Sequence, residues 1–265
     1  MNRIVFLGTP DFAVPALKEL TQNGYEVTLV ITQKDKKKGR GKVITKSPVK
    51  IAAEELSIDI HQPVNVNTKE SLELIRSHKP DFIVVVAYGQ ILSEEFLLIP
   101  QIECLNIHAS LLPKYRGAAP INWAIINGES ESGVAIMRVE KGLDSGPVYK
   151  MESIALDDRI TAGELHDTLM YMGAKLITDV IELISQKKIT PVKQDSSKVS
   201  YAPMLNKSMS LIDWNNTCQD INNLIRGLDP WPGSVIRYES KEIKIFSTSF
   251  ILENHDKKPG TILEV

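Results

Sequence analysis

Residues Asp81-Phe82-Ile83-Val84-Val85-Val86-Ala87, DFIVVVA, decide the fold. A strand with one face in water alternates apolar and polar positions, whereas a strand buried on both faces, as in the middle of a parallel sheet, is apolar throughout. Similar runs lie on either side. RIVFLG (Arg3–Gly8) and YEVTLVI (Tyr25–Ile31) precede it, and Glu103–His108 follows. Helical patterns separate them. One runs from about Pro10 to Leu20, and Ser47-Pro48 opens another with serine as cap and proline at the first helical position. Asn67 with Glu70 three residues on predicts a capping box before SLELIRS, and Pro120–Asn127 predicts a further helix. This β-α-β alternation predicts an α/β, doubly wound, mostly parallel Rossmann-like sheet. Ligands of such sheets sit beyond the carboxyl ends of the strands, which is where Asn106 and His108 fall.

Val134–Arg138 and Pro147–Ile154 read as two later strands around a loop with Gly142 and Gly146, and Thr161-x-x-Glu164 caps a long helix to about Gln186. These elements complete a first unit over 1–190, and the polar stretch 191–206 reads as a linker. Over 207–265 the pattern predicts a smaller β-rich unit. It has a helix near Thr217–Arg226, the turn DPWPG (Asp229–Gly233), and strands at Val235–Tyr238, Glu242–Ser247 and Thr261–Val265.

The chain has 265 residues, 43% of them hydrophobic, and a formal net charge of −2, which argues for a globular protein and against a disordered one. No apolar run approaches the ~20 residues of a membrane span. A strand beginning at Arg3 leaves no room for a leader peptide, so a cytoplasmic protein with no membrane partner is expected. Cys104 and Cys218 form no C-x-x-C pair, consistent with a reducing compartment and no structural metal. Any nucleic-acid partner must be met by a local basic patch. One exists: between Gln33 and Lys50, eight cations (Lys34, Lys36, Lys37, Lys38, Arg40, Lys42, Lys46 and Lys50) face a single acid, Asp35. The alternation KGRGK predicts an unstructured cationic finger suited to a phosphate backbone.

Asn106 and His108 stand at i and i+2 of a strand, so both side chains point to one side. An amide donor and an imidazole with a tunable proton can together hold an oxyanion as a carbonyl carbon becomes tetrahedral. No nucleophile elbow accompanies them, so direct acyl transfer to an external nucleophile fits better than a covalent intermediate. Taken alone, the pair equally fits a capped strand end. A histidine in this role needs an orienting carboxylate, and Asp144 in the glycine-flanked loop KGLDSG is the best placed. Gly8-Thr9-Pro10 lacks the lysine of a phosphate loop and the further glycines of a dinucleotide fingerprint.

Four stretches carry a resemblance: FLGTPDFAVPALKEL near the start, AYGQIL (Ala87–Leu92), NIHASLLPKYRGAAPINWAI, and LDSGPVY (Leu143–Tyr149). With them the chain resembles the methionyl-tRNA formyltransferase family over nearly its whole length. The resemblance implies transfer of a formyl group from 10-formyltetrahydrofolate to the α-amino group of methionyl-initiator tRNA, through a tetrahedral intermediate, for translation initiation. It implies Asn106, His108 and Asp144 as the catalytic trio. Folate contacts are implied at Ser110, Leu111, Leu112 and Pro113, with Tyr88, Gly89 and Ile91 as a second wall. Arg40 and Lys42 match a basic insertion that reaches the tRNA, and Lys207 the start of an OB-like tRNA-binding domain that is incomplete here. No metal and a monomer are expected.

Two other readings stay open on the sequence. One is a related folate enzyme acting on a glycinamide nucleotide, a sugar amine or formyl-folate itself. The other is a non-catalytic RNA-binding protein on a similar fold.

Overall fold

The computed structural model describes residues 2–38, 43–253 and 256–263. In chain order its elements begin β1 (Arg3–Gly8), α1 (Val14–Gln22), β2 (Glu26–Ile31), β3 (Lys36–Lys38), β4 (Val43–Thr45), α2 (Pro48–Glu55) and β5 (Ile60–His61). They continue through α3 (Lys69–Ser77), β6 (Phe82–Val86), α4 (Glu94–Leu97), β7 (Glu103–His108), β8 (Arg116–Gly117), α5 (Pro120–Ile126) and β9 (Glu131–Arg138). The last are β10 (Val148–Ala155), α6 (Ala162–Ser185), β11 (Tyr201–Ala202), α7 (Cys218–Gly227), β12 (Ser234–Tyr238) and β13 (Lys241–Ile245).

Seven strands form one sheet in the order β10-β9-β7-β6-β1-β2-β5. Pairings from β5 through β7 are parallel; β9 runs antiparallel to β7, and β10 to β9. The chain leaves β1 toward β2 and β5, then returns to the other side of β1 with β6. The carboxyl ends of β1 and β6 therefore form the switch point where such sheets open a crevice.

Residues of the central strands alternate between two cores. Ile4, Phe6, Phe82, Val84, Leu105 and Ile107 pack with residues of α1 and α6, while Val5, Leu7, Ile83 and Cys104 pack with Leu72, Ile75 and Phe96 from α3 and α4. Each such large apolar side chain contributes about 1.5–3 kcal/mol by burial, so the strand bodies tolerate polar residues only at their ends. Helix α6 runs directly behind β7. Its Gly173 permits the contact: a Cβ there would stand 2.7 Å from the Ile107 side chain.

Several local expectations shift. The cap of α3 is Thr68, whose side chain accepts from the Ser71 amide; Asn67 instead donates to the Ile91 carbonyl and accepts from the Ser93 amide, tying α3 to the loop after β6. The arms of the basic segment are not unstructured, because β3 and β4 pair as an antiparallel hairpin. The capping box of Thr161 and Glu164 forms as the sequence predicts. In the smaller C-terminal unit, β12 and β13 form a hairpin and α7 packs on α5. Residues 261–263 carry no strand, and Glu264 and Val265 lie outside the described residues.

Candidate active site

Three strand ends meet at the switch point. The Thr9 hydroxyl after β1 donates to the Tyr88 carbonyl at 3.1 Å, and the Gln33 amide after β2 donates to the same oxygen at 3.3 Å. Beside them, β7 ends in Asn106 and His108, on the face that carries Cys104. His108 is buried, whereas Asn106 is half-buried, and no described residue hydrogen-bonds its side-chain amide. Its carboxamide therefore stays open to solvent at the carboxyl end of β7, with both its donor and its acceptor free for a ligand.

The imidazole is held on both sides. Nε2 lies 2.9 Å from the Tyr115 carbonyl oxygen. A carbonyl only accepts, so Nε2 carries the proton and donates. Nδ1 then faces Asp144, whose Oδ2 lies 3.7 Å away. That is ion-pair distance and longer than a hydrogen bond; in the absence of substrate such catalytic contacts are commonly loose. The Asp144 Oδ2 itself accepts from the Gly117 amide at 2.8 Å.

Each support has a local reason. Asp144 has φ +45, a left-handed conformation that aspartate tolerates better than most residues. Gly117 has φ +120, and a Cβ there would lie 2.8 Å from the Ala202 carbonyl oxygen, so only glycine brings its amide to Asp144. Tyr115 is pinned by its hydroxyl, which donates to Glu129 at 2.7 Å and accepts from Asn127. Burial raises the Glu129 carboxyl's proton affinity, but the Tyr115 and Lys114 contacts outweigh it and hold the group below the ordinary carboxylate range. The Tyr115 phenol is pushed up to about 12, by burial first and by Glu129 second.

The other sequence-predicted residues are spread over the same edge. The Ser110 hydroxyl donates to the Lys114 carbonyl at 2.6 Å and braces the turn. Leu112 packs with Ala135, Met137 and Val148, so its side chain serves the core, while Leu111 and Pro113 are half-buried. Tyr88 is buried with its hydroxyl unpartnered, which pushes its phenol up to about 12 through desolvation. Gly89 has φ +88, and Ile91 is 86% exposed. Of these side chains Ile91 is exposed and Leu111 half-buried, whereas the Tyr88 hydroxyl is closed off within the core. Two surface cavities, each of about 400 Å³, lie elsewhere. Neither the one beside Tyr25 and Glu182 nor the one beside Trp214 and Phe250 is lined by Asn106, His108 or Asp144, and the convergence of polar groups marks the site better than volume does.

Arg40 and Lys42 lie outside the described residues, and Lys207 is exposed. The basic patch is weaker than its composition. Lys50 pairs with Asp35 at 2.7 Å and Lys46 with Glu54 at 2.7 Å, so two of the eight cations are committed within the chain. The Asp35 carboxyl is held low by its hydrogen bonds from Lys50 and Gln62. Lys36 and Lys37 remain exposed on the hairpin. Sequence reading also missed Tyr115 and Gly117, since a positive φ carries no signal until the partners of the residue are known. Among the described residues no group of three or more His, Cys, Asp or Glu side chains could hold a metal, and no helix is long and apolar enough to cross a membrane.

Comparison with known proteins follows from this geometry. Residues 2–181 match the formyl transferase family, and residues 204–265 match the formyl transferase C-terminal domain. The methionyl-tRNA formyltransferase of Clostridium novyi (strain NT) is 51% identical over 264 residues, covering 99% of this chain and 85% of that protein. Among solved structures, WlaRD, a sugar 3N-formyl transferase crystallised with dTDP and 5-N-formyl-THF, superposes with a TM-score of 0.71 at 24% identity. That match covers 96% of this chain and 90% of WlaRD. HypX from Aquifex aeolicus in complex with tetrahydrofolic acid superposes with a TM-score of 0.69 at 17% identity, over 99% of this chain and 40% of HypX. At those identities the two structures establish the fold alone.

Proposed function

The chain belongs to the methionyl-tRNA formyltransferase family, and from that membership we propose how its own residues move a formyl group from 10-formyltetrahydrofolate to the α-amino group of methionyl-initiator tRNA. The observation that carries the reading is the His108–Asp144 approach of 3.7 Å beside the unpartnered amide of Asn106.

In this reading Asn106 donates to the formyl oxygen as negative charge develops there. Preorganised donors of this kind act where water is excluded and are worth about 3–4 kcal/mol in the transition state. His108, held as the Nε2–H tautomer by Tyr115, presents a free Nδ1 lone pair. It takes the proton released as the amine nitrogen bonds to the formyl carbon. Asp144 stabilises the imidazolium so formed, and the proton then passes to the folate nitrogen as its bond to that carbon breaks. No covalent enzyme intermediate is needed, since the amine attacks directly. The folate supplies the activated one-carbon unit. The Ser110–Pro113 turn and the Tyr88–Ile91 loop would hold its ring beside Asn106.

The tRNA would be met by the β3–β4 hairpin, by Arg40 and Lys42, which lie outside the described residues, and by the C-terminal unit from Lys207 onward. Domains at 1–190 and 207–265 joined by 191–206, and a monomeric, cytoplasmic state, belong to the same reading. The test is formyl transfer to methionyl-tRNA against free methionine and glycinamide ribonucleotide. Preference for charged tRNA supports the reading, and preference for a free small amine rejects it.

A further inference from the structure

We infer that Gln194 is the positioning residue of Asp144, and that the segment around it braces both partners of the His108 imidazole. The inference rests on the proposed His108–Asp144 pair. The stretch 191–206 has the composition of a connector, yet Gln194 uses its whole carboxamide. Nε2 donates to the Asp144 carbonyl at 2.8 Å and to the Gly146 carbonyl at 2.7 Å. Oε1 accepts from Arg116 Nε at 3.1 Å and from Nη2 at 2.7 Å. Two N–H groups and two lone pairs are thus all occupied. One side chain ties the Asp144 loop to the strand β8 that begins at Arg116.

The tie falls where the backbone needs it. Asp144 sits at φ +45, a strained conformation for a non-glycine residue that persists where surrounding contacts over-determine it. Gln194 holds the peptide oxygen of that residue directly. The same segment supports the other face of the imidazole. The Ser200 hydroxyl accepts from the Tyr115 amide at 2.9 Å, and the Ser200 carbonyl accepts from the Arg116 amide at 2.9 Å. The Ala202 carbonyl accepts from Ala118 at 2.9 Å, and Val192 bridges Val148. Tyr115 carries the carbonyl that fixes Nε2, and Gly117 in β8 donates to Asp144. Both flanks of His108 therefore hang on residues 192–202. A connector that only spanned two units would leave its polar side chains to water.

The experiment is a double-mutant cycle on the full chain. Turnover, the KM of each substrate and the melting temperature are measured for Gln194→Ala and Asp144→Asn, alone and together. Gln194→Ala is expected to lower kcat about 10- to 100-fold, the scale of a misplaced catalytic group, with both KM values within about twofold. In the Asp144→Asn background the same change should cost less than about threefold, because its effect has no carboxylate left to act through. Gln194→Glu keeps the acceptors for Arg116 and loses the donors to Asp144 and Gly146. Its second carboxylate oxygen then faces the two carbonyls that Nε2 had bonded, so it should lose at least as much rate as the alanine variant. An equal loss in both backgrounds, an unchanged kcat, or a full rate in Gln194→Glu overturns the inference. A fully active Asp144→Asn overturns the proposed pair itself, which separates the two failures.

Discussion

The Nε2 of His108 donates to the Tyr115 carbonyl at 2.9 Å, and this contact fixes which nitrogen of the ring is free for chemistry. With Nε2 protonated, the neutral ring presents Nδ1 toward Asp144. Nitrogen-15 NMR of the imidazole at neutral pH is expected to show the Nε2–H tautomer. An Nδ1–H tautomer would break the assignment of His108 as a proton acceptor on that side.

Gly117 joins a backbone requirement to a catalytic one, since its amide holds Asp144 while its φ is +120. Gly117→Ala meets both a forbidden backbone region and the Ala202 carbonyl, and should destabilise the fold by about 1–3 kcal/mol. Its kcat should fall further than the loss of folded protein explains. Urea unfolding beside turnover checks this, and a rate at wild-type level would contradict it.

Glu129 gives an acid-dependent brace. Its folded carboxyl titrates below the unfolded value of about 4.3, so its contribution is fully present above that pH and is lost as pH falls through the depressed folded value. Glu129→Gln should cost about 1–2 kcal/mol at pH 7 and less at pH 3, because the wild-type interaction weakens as pH falls below the unfolded value. Urea midpoints at the two pH values test the sign. A larger loss at pH 3 than at pH 7 would refute it.

The lysines of the basic segment divide by partner. Lys36 and Lys37 are exposed on β3, whereas Lys50 is bound to Asp35. Lys36→Ala with Lys37→Ala should weaken tRNA binding and reduce the salt slope by about 2, while Lys50→Met leaves the slope unchanged. Binding titrations at several salt concentrations distinguish them, and an unaltered slope in the double variant removes the hairpin from the interface.

What could be read in advance was what short stretches determine. DFIVVVA announced a strand buried on both faces, and Asn106 and His108 a shared side, because a period of two needs no knowledge of partners. The cap of α3 was missed by one residue, since Asn67 and Thr68 are both good caps and only the distant Ile91 and Ser93 occupy the first. The cationic segment read as a charge excess until Asp35 and Glu54 claimed two of its lysines. Gln194 was illegible for the same reason on a larger scale. Its partners lie 78 residues away at Arg116 and 50 away at Asp144, and composition around it says only that the stretch is polar.

Single-turnover formylation of methionyl-tRNA by His108→Ala, with tRNA affinity measured on the same preparation, tests the central claim most directly. The account predicts a rate at least about 10²-fold below wild type, the scale of a lost general base, with affinity unchanged. A rate within a few-fold of wild type, or a loss explained wholly by weaker tRNA binding, would contradict it.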